Sequence, residues 1–164
     1  MMVKAIGIHR ELLVASMAKP FSPELYADND FAKEIVINWL NSSDEHNAYV
    51  NPDQYGIDII CDTAYERRYY YEVEVKHNWS GPKFPFGEVH FPARKQKFAK
   101  KHPEEDTYFV MLNSEHTHAL IVDGFDFNRG TLVRKNTSVM DDDLFVEIPT
   151  FNCKFINITE EENE

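Results

Sequence analysis

The sequence predicts an α+β fold with a mixed central sheet flanked by helices, and three observations carry the prediction. An amphipathic helix precedes three β-like segments, a basic helix follows them, and two apolar strands then run around the turn SEH. The order is αβββαβ, with extra β segments toward the C-terminus.

Taken in chain order, residues 9–18 (HRELLVASMA) read as a short helix that the segment from Pro20 to Pro23 interrupts. In DNDFAKEIVINWLNSS, Asp28 or Asp30 is placed to cap a longer helix. Phe31, Ile35 and Trp39, with Ala32, Val36 and Leu40, recur at helical spacing and form its buried stripe. Asn41 to Ser43 end it. NAYV reads as the first strand and NPDQYG as a turn. Residues 57–61 and 68–76 then form two strands joined by DTAYER.

Residues 77–92 mix Pro, Gly and aromatics without a period, which predicts a mobile loop over the strands. FPARKQKFAKKH starts with a proline suited to a helix N-terminus and turns Phe98 inward among lysines. TYFVMLN and THALIVDG are apolar strands. The stretches around LVRK, DLFVEI and NCKFINI are β-like and extend or wrap the sheet. Residues 1–158 read as a single domain, followed by an acidic tail at 159–164.

A chain of 164 residues with 43% hydrophobic content is long enough to close a core. Cys61 and Cys153 make neither a zinc spacing nor a disulfide framework, so a reducing cytoplasmic compartment is expected. No apolar stretch approaches the ~20 residues that cross a bilayer, and no membrane partner is expected. The net charge of −11 argues against indiscriminate coating of nucleic acid. Its distribution is uneven: residues 83–102 hold six basic side chains against one acid, so this window is +5 and the remainder −16.

Alternation on the strand 68–76 puts Tyr70, Glu72, Glu74 and Lys76 on one face. Asp58 opens the preceding apolar strand, and a hairpin pairing brings it toward Glu74. Carboxylates this close repel unless a cation lies between them, and hard oxygen donors favour Mg²⁺ or Mn²⁺. Taken alone, the same pattern suits a solvated face with a diagonal ion pair. His116 and His118 lack a third ligand and read as exposed turn residues. GPKFPFG lacks the spacing and the ending of a phosphate loop, and no Ser-His-Asp or Cys-His set stands out.

Asp58 followed by Glu74-Val75-Lys76, in this order of elements, resembles the PD-(D/E)XK nuclease superfamily over about residues 28–124. The resemblance implies a restriction endonuclease-like fold and a Mg²⁺-dependent endonuclease acting on DNA. It makes Asp58, Glu74 and the Val75 carbonyl metal ligands, with Glu34 as an added acid from the first helix, and Lys76 the residue that positions or activates water. Gln96 takes the polar position on the following helix. Asp53, in the literal Pro52-Asp53 dipeptide, stays a rival to Asp58, and Glu72 is either a supporting acid or exposed.

Arg94, Lys95, Lys97, Lys100 and Lys101 would then hold the sugar-phosphate backbone, with Trp79, Phe84 and Phe86 stacking on bases or packing in the core. Relatives that act as dimers make a homodimer through the C-terminal β segments a further expectation, and small size and acidity suit a phage enzyme working in a host cytoplasm. Two alternatives stay open: a Holliday junction resolvase, and a noncatalytic nucleic-acid-binding or assembly protein that keeps the fold.

Overall fold

A computed structural model describes residues 23–137 and 141–159, so the helix expected at 9–18 and the end of the acidic tail lie outside the described residues. Helix α1 (Pro23–Leu40) leads into β1 (His46–Val50), β2 (Ile59–Thr63) and β3 (Arg68–Val75). Next come β4 (Glu88–Pro92), a 3-10 turn at Ala93–Lys95, α2 (Gln96–Lys101), β5 (Thr107–Leu112) and β6 (His118–Asp123). The rest comprises α3 (Gly124–Asn128), β7 (Thr131–Lys135), β8 (Asp143–Pro149) and β9 (Lys154–Asn157).

Six strands form a mixed sheet in the order β1-β2-β3-β5-β6-β9, in which only β3 and β5 run parallel. A parallel neighbour requires a crossover, and the chain between β3 and β5 supplies it through β4 and α2. Strands β4, β8 and β7 form a second, antiparallel sheet. Because side chains alternate, each central strand feeds two cores. Tyr71, Val73, Val110, Leu112 and Ala119 pack with Ala32, Val36 and Leu40 of α1. Phe109, Met111, Leu120 and Val122 face Val89, Phe91, Phe98, Phe127, Val146 and Ile148 from the second sheet, α2 and α3. The molecule thus has three layers: α1, the large sheet, and a cover of small sheet with two short helices.

Several boundaries differ from the sequence reading. Helix α1 begins at Pro23, a residue preset for a first turn, so Asp28 and Asp30 lie inside it and cap nothing. Its stripe is carried by Ala32, Val36 and Leu40, Ile35 and Trp39 are half-buried, and Phe31 is exposed. The stretch 77–92 contains β4, where Val89 and Phe91 alternate inward against β8. The remainder of that stretch is tied down. Ser80 and the Gly81 N–H donate to the Glu115 carboxylate, Ser114 N–H donates to the Trp79 carbonyl at 2.7 Å, and the Asn113 amide donates to the Gly81 carbonyl. The Gly81 backbone donor, with the two serine hydroxyls, holds the Glu115 carboxyl down at about 2.

Nothing in the sequence reading anticipates helix α3. Asp123 makes it, accepting from the Asp126 N–H at the N-terminus. A Cβ at Gly124 would stand 2.8 Å from the Glu104 carbonyl oxygen and 3.1 Å from Glu104 Cα, both backbone atoms with little freedom to retreat. Gly124→Ala is therefore expected to destabilise the chain by about 1–3 kcal/mol, read as a lower urea midpoint at unchanged slope.

Candidate active site

The candidate site lies where β2 and β3 part. Their antiparallel ladder pairs Ile59 with Tyr71. One residue further on, carboxylates take over from backbone: Glu72 Oε1 accepts from the Asp58 N–H at 3.0 Å, and Asp58 Oδ2 accepts from the Val73 N–H at 2.9 Å. Asp58 Oδ1 lies 3.3 Å from Lys33 Nζ of α1. This aspartate is fixed by the strand it opens.

Glu72 and Glu74 share a face of β3, as alternation requires, and that face is covered by the 3-10 turn leading into α2. Lys95, at the end of the turn, drops its ammonium between them. It contacts Glu72 Oε2 and lies 2.8 Å from Glu74 Oε2. Burial alone would lower the proton affinity of Lys95, but the charges of Glu74, Glu72 and Asp58 outweigh it and hold the pKa above the ordinary lysine value. Burial pushes Glu72 up to about 7; the Lys95 charge opposes this and the Asp58 charge adds to it.

The sequence reading puts Lys95 among surface residues that hold nucleic acid. Instead it is buried, because the side chain three to four residues before Phe98 and Ala99 shares their inward face. Arg94, Lys97, Lys100 and Lys101 are exposed on the same short segment, and Gln96 is half-buried beside them.

Glu34, expected to add a carboxylate from α1, is exposed. Its neighbour Lys33 reaches the site in its place, since adjacent helical positions point ~100° apart. Asp53 is also exposed, in a turn where Oδ1 accepts from the Tyr55 N–H and the carbonyl from the Gly56 N–H. That is the local bonding an Asx turn uses. Val75 ends β3 opposite Leu112, with its side chain on the α1 side.

Lys76 follows directly, with its N–H donating to the Leu112 carbonyl at 2.8 Å. Its ammonium lies over the Phe86 ring at 5.0 Å and makes no ion pair with Glu74 among the described residues. Burial, with the Lys135 charge adding, lowers its proton affinity. Trp79 and Phe84 belong to the core, and Phe86 remains exposed. His116 is buried rather than exposed, with Nε2 2.9 Å from Asp28 Oδ1. Buried Cys61 has its thiol pushed up to about 11 by that burial, far from a thiolate nucleophile at neutral pH.

The donors bear directly on whether a cation fits. Both Glu72 oxygens are engaged, by the Asp58 N–H and by Lys95. Among the described residues, no group of three or more His, Cys, Asp and Glu side chains is arranged to hold a metal ion. Asp58 and Glu74 each turn one oxygen toward a lysine ammonium rather than toward the backbone. Two hard carboxylates suit Mg²⁺, which takes one or two protein carboxylates and fills its remaining positions with water. Asp58 and Glu74 are therefore the two carboxylates whose donor chemistry would suit a divalent ion, each with one oxygen now against a lysine.

No protein-family model and no curated protein matches the chain. Two solved structures are similar to it. One is Hjc, a Holliday junction resolvase from the archaeal hyperthermophile Archaeoglobus fulgidus, at 10% identity and a TM-score of 0.43, covering 74% of this chain and 84% of the other. The second is D212, a nuclease from a fusselovirus, at 15% identity and a TM-score of 0.39, covering 94% of this chain and 88% of the other.

Proposed function

We propose that the chain is a divalent-cation-dependent nuclease that hydrolyses phosphodiester bonds of DNA. The observation that carries the reading is the convergence of Asp58 and Glu74, from adjoining β segments, on a spot already rich enough in negative charge to recruit two lysines. Asp58 and Glu74 would hold Mg²⁺ or Mn²⁺, and such an ion supplies Lewis-acid stabilisation of the phosphoryl oxygens.

The chain's own residues do the rest. Lys95 holds the Glu74 carboxylate by an ion pair at 2.8 Å, and the Val73 N–H fixes Asp58 by a hydrogen bond. Lys76, two residues beyond Glu74 and over the Phe86 ring, contacts the phosphate or orients water beside it as an ammonium. Arg94, Lys97, Lys100 and Lys101 face solvent and bind the sugar-phosphate backbone without reading sequence. A homodimer would present two such sites to two strands.

A second reading has its own observation. Lys33 and Lys95 already neutralise the carboxylates, as expected of a noncatalytic nucleic-acid-binding protein in which the cluster is structural. Purified chain offered linear, branched and single-stranded DNA with Mg²⁺ or Mn²⁺ separates the two. Cleavage that stops with a chelator is the expected result, and a preference for branched DNA would narrow the activity to junction resolution. Absence of cleavage on every substrate, with no heat on Mg²⁺ titration, would establish the noncatalytic reading.

A further inference from the structure

Lys76 does not point into the carboxylate cluster, and what it does face has a construction of its own. A recess of about 360 Å³ opens between the end of β3, the tethered 77–87 segment and the small sheet. Lys76, Asn78, Phe86, His90 and Lys135 line it, and the acid on its wall, Glu88, is exposed. The volume lies near the lower end of the ~300–1,000 Å³ range of small-ligand sites. Among the described residues neither ammonium has a carboxylate partner: Lys76 lies over Phe86, and Lys135 lies 3.3 Å from His90 Nδ1 and 6.0 Å from the Phe145 ring.

The position of Lys135 is built. His90 Nε2 lies 2.9 Å from Glu147 Oε2, and this pairing places the imidazole proton on Nε2, leaving Nδ1 to accept from Lys135. One N–H of Lys135 is thereby anchored. The neighbouring strands β4 and β8 hold His90 and Glu147 opposite one another in register. Two ammonium groups on the wall of one recess, beside an amide and an aromatic ring, are together suited to an anion with several acceptor oxygens.

We propose that this recess is a phosphate-binding subsite, distinct from the Asp58–Glu74 pair, that takes a phosphate group of a nucleic-acid strand between Lys76 and Lys135. As a strand anchor it rests on the nuclease reading; as an anion site it does not. Lys76 bridges the two sites in sequence, two residues beyond Glu74, so a phosphate held here sets where the strand lies relative to the carboxylates.

Calorimetry on the full chain, with inorganic phosphate titrated against chloride at equal ionic strength, tests the anion site. Lys135→Gln is expected to weaken phosphate binding about tenfold, and Lys135→Arg to retain it. Competition with short oligonucleotides identifies the source. Displacement by strands with and without a 5′-phosphate assigns a backbone phosphodiester, and displacement only by the phosphorylated strand assigns a terminal phosphate. Phosphate affinity unchanged in Lys135→Gln, or no phosphate binding by the parent, overturns the proposal.

Cleavage is scored separately. Lys135-dependent phosphate binding in a chain that cleaves no DNA sinks the nuclease reading and leaves the subsite standing. Cleavage with KM and phosphate affinity both unaltered in Lys135→Gln does the reverse.

Discussion

Glu74→Gln and Asp58→Asn are each expected to lower DNA cleavage by at least about 10²-fold while leaving the urea midpoint close to that of the parent. Both changes are isosteric, which is why they separate charge from scaffold. The amide oxygen introduced by Glu74→Gln can still accept from Lys95, and the one introduced by Asp58→Asn can still accept from the Val73 N–H, so the local bonding survives. What disappears is one negative charge at the place where a divalent ion would bind. Asp53→Ala serves as the control, since Asp53 bonds only within its own turn and is expected to leave cleavage unchanged. Mg²⁺ titration should show weakened binding in the first two variants and parental binding in the control. Parental activity in Glu74→Gln would remove the carboxylate pair from the mechanism and return Glu74 to an ion pair.

The parts of this site that could be read from the sequence share one property: strand alternation decides them. With β3 recognised, Glu72 and Glu74 had to share a face, and an aspartate opening the neighbouring strand had to come near them. Lys95 and Lys33 were not legible in that way, since a lysine on a helix faces water unless something buried accepts it, and the acceptors lie 23 and 25 residues away in sequence. A signal did exist for Lys95. Lys95, Phe98 and Ala99 fall at i, i+3 and i+4, so an inward Phe98 implies an inward Lys95.

The covering strand β4 was hidden for another reason. Its alternation, Val89 and Phe91 inward, spans only five residues and ends on Pro92, so prolines and glycines around it dominate any window. The consequence reaches beyond the fold. Reading the stretch as a loop leaves Lys76 with only the carboxylates to face, whereas β4, with Lys135 of β7 in the same small sheet, creates a second destination for it.

Lys95→Met is expected to destabilise the chain by about 3–5 kcal/mol, because it withdraws the cation from buried carboxylates without removing them. Methionine preserves much of the lysine's length, which keeps lost packing from dominating. The penalty should concentrate on Glu72, which is buried, while Glu74 keeps access to solvent. Glu72→Gln in the same background should therefore recover part of the loss, and a double-mutant cycle by urea unfolding measures that coupling.

The pH dependence has a defined sign. Glu72 in the folded parent sits at about 7, above its ordinary 4.5, so its ionisation disfavours folding: the group costs nothing below 4.5, and stability falls as pH rises between the two values. Removing Lys95 takes away what opposes that shift, so the folded value climbs and the window extends upward. The deficit of Lys95→Met relative to the parent should accordingly stay level between 4.5 and about 7, where both folded proteins hold Glu72 protonated, and widen as pH rises above about 7. A deficit that does not widen above about 7, or no recovery by Glu72→Gln, would show that Lys95 acts through packing rather than charge.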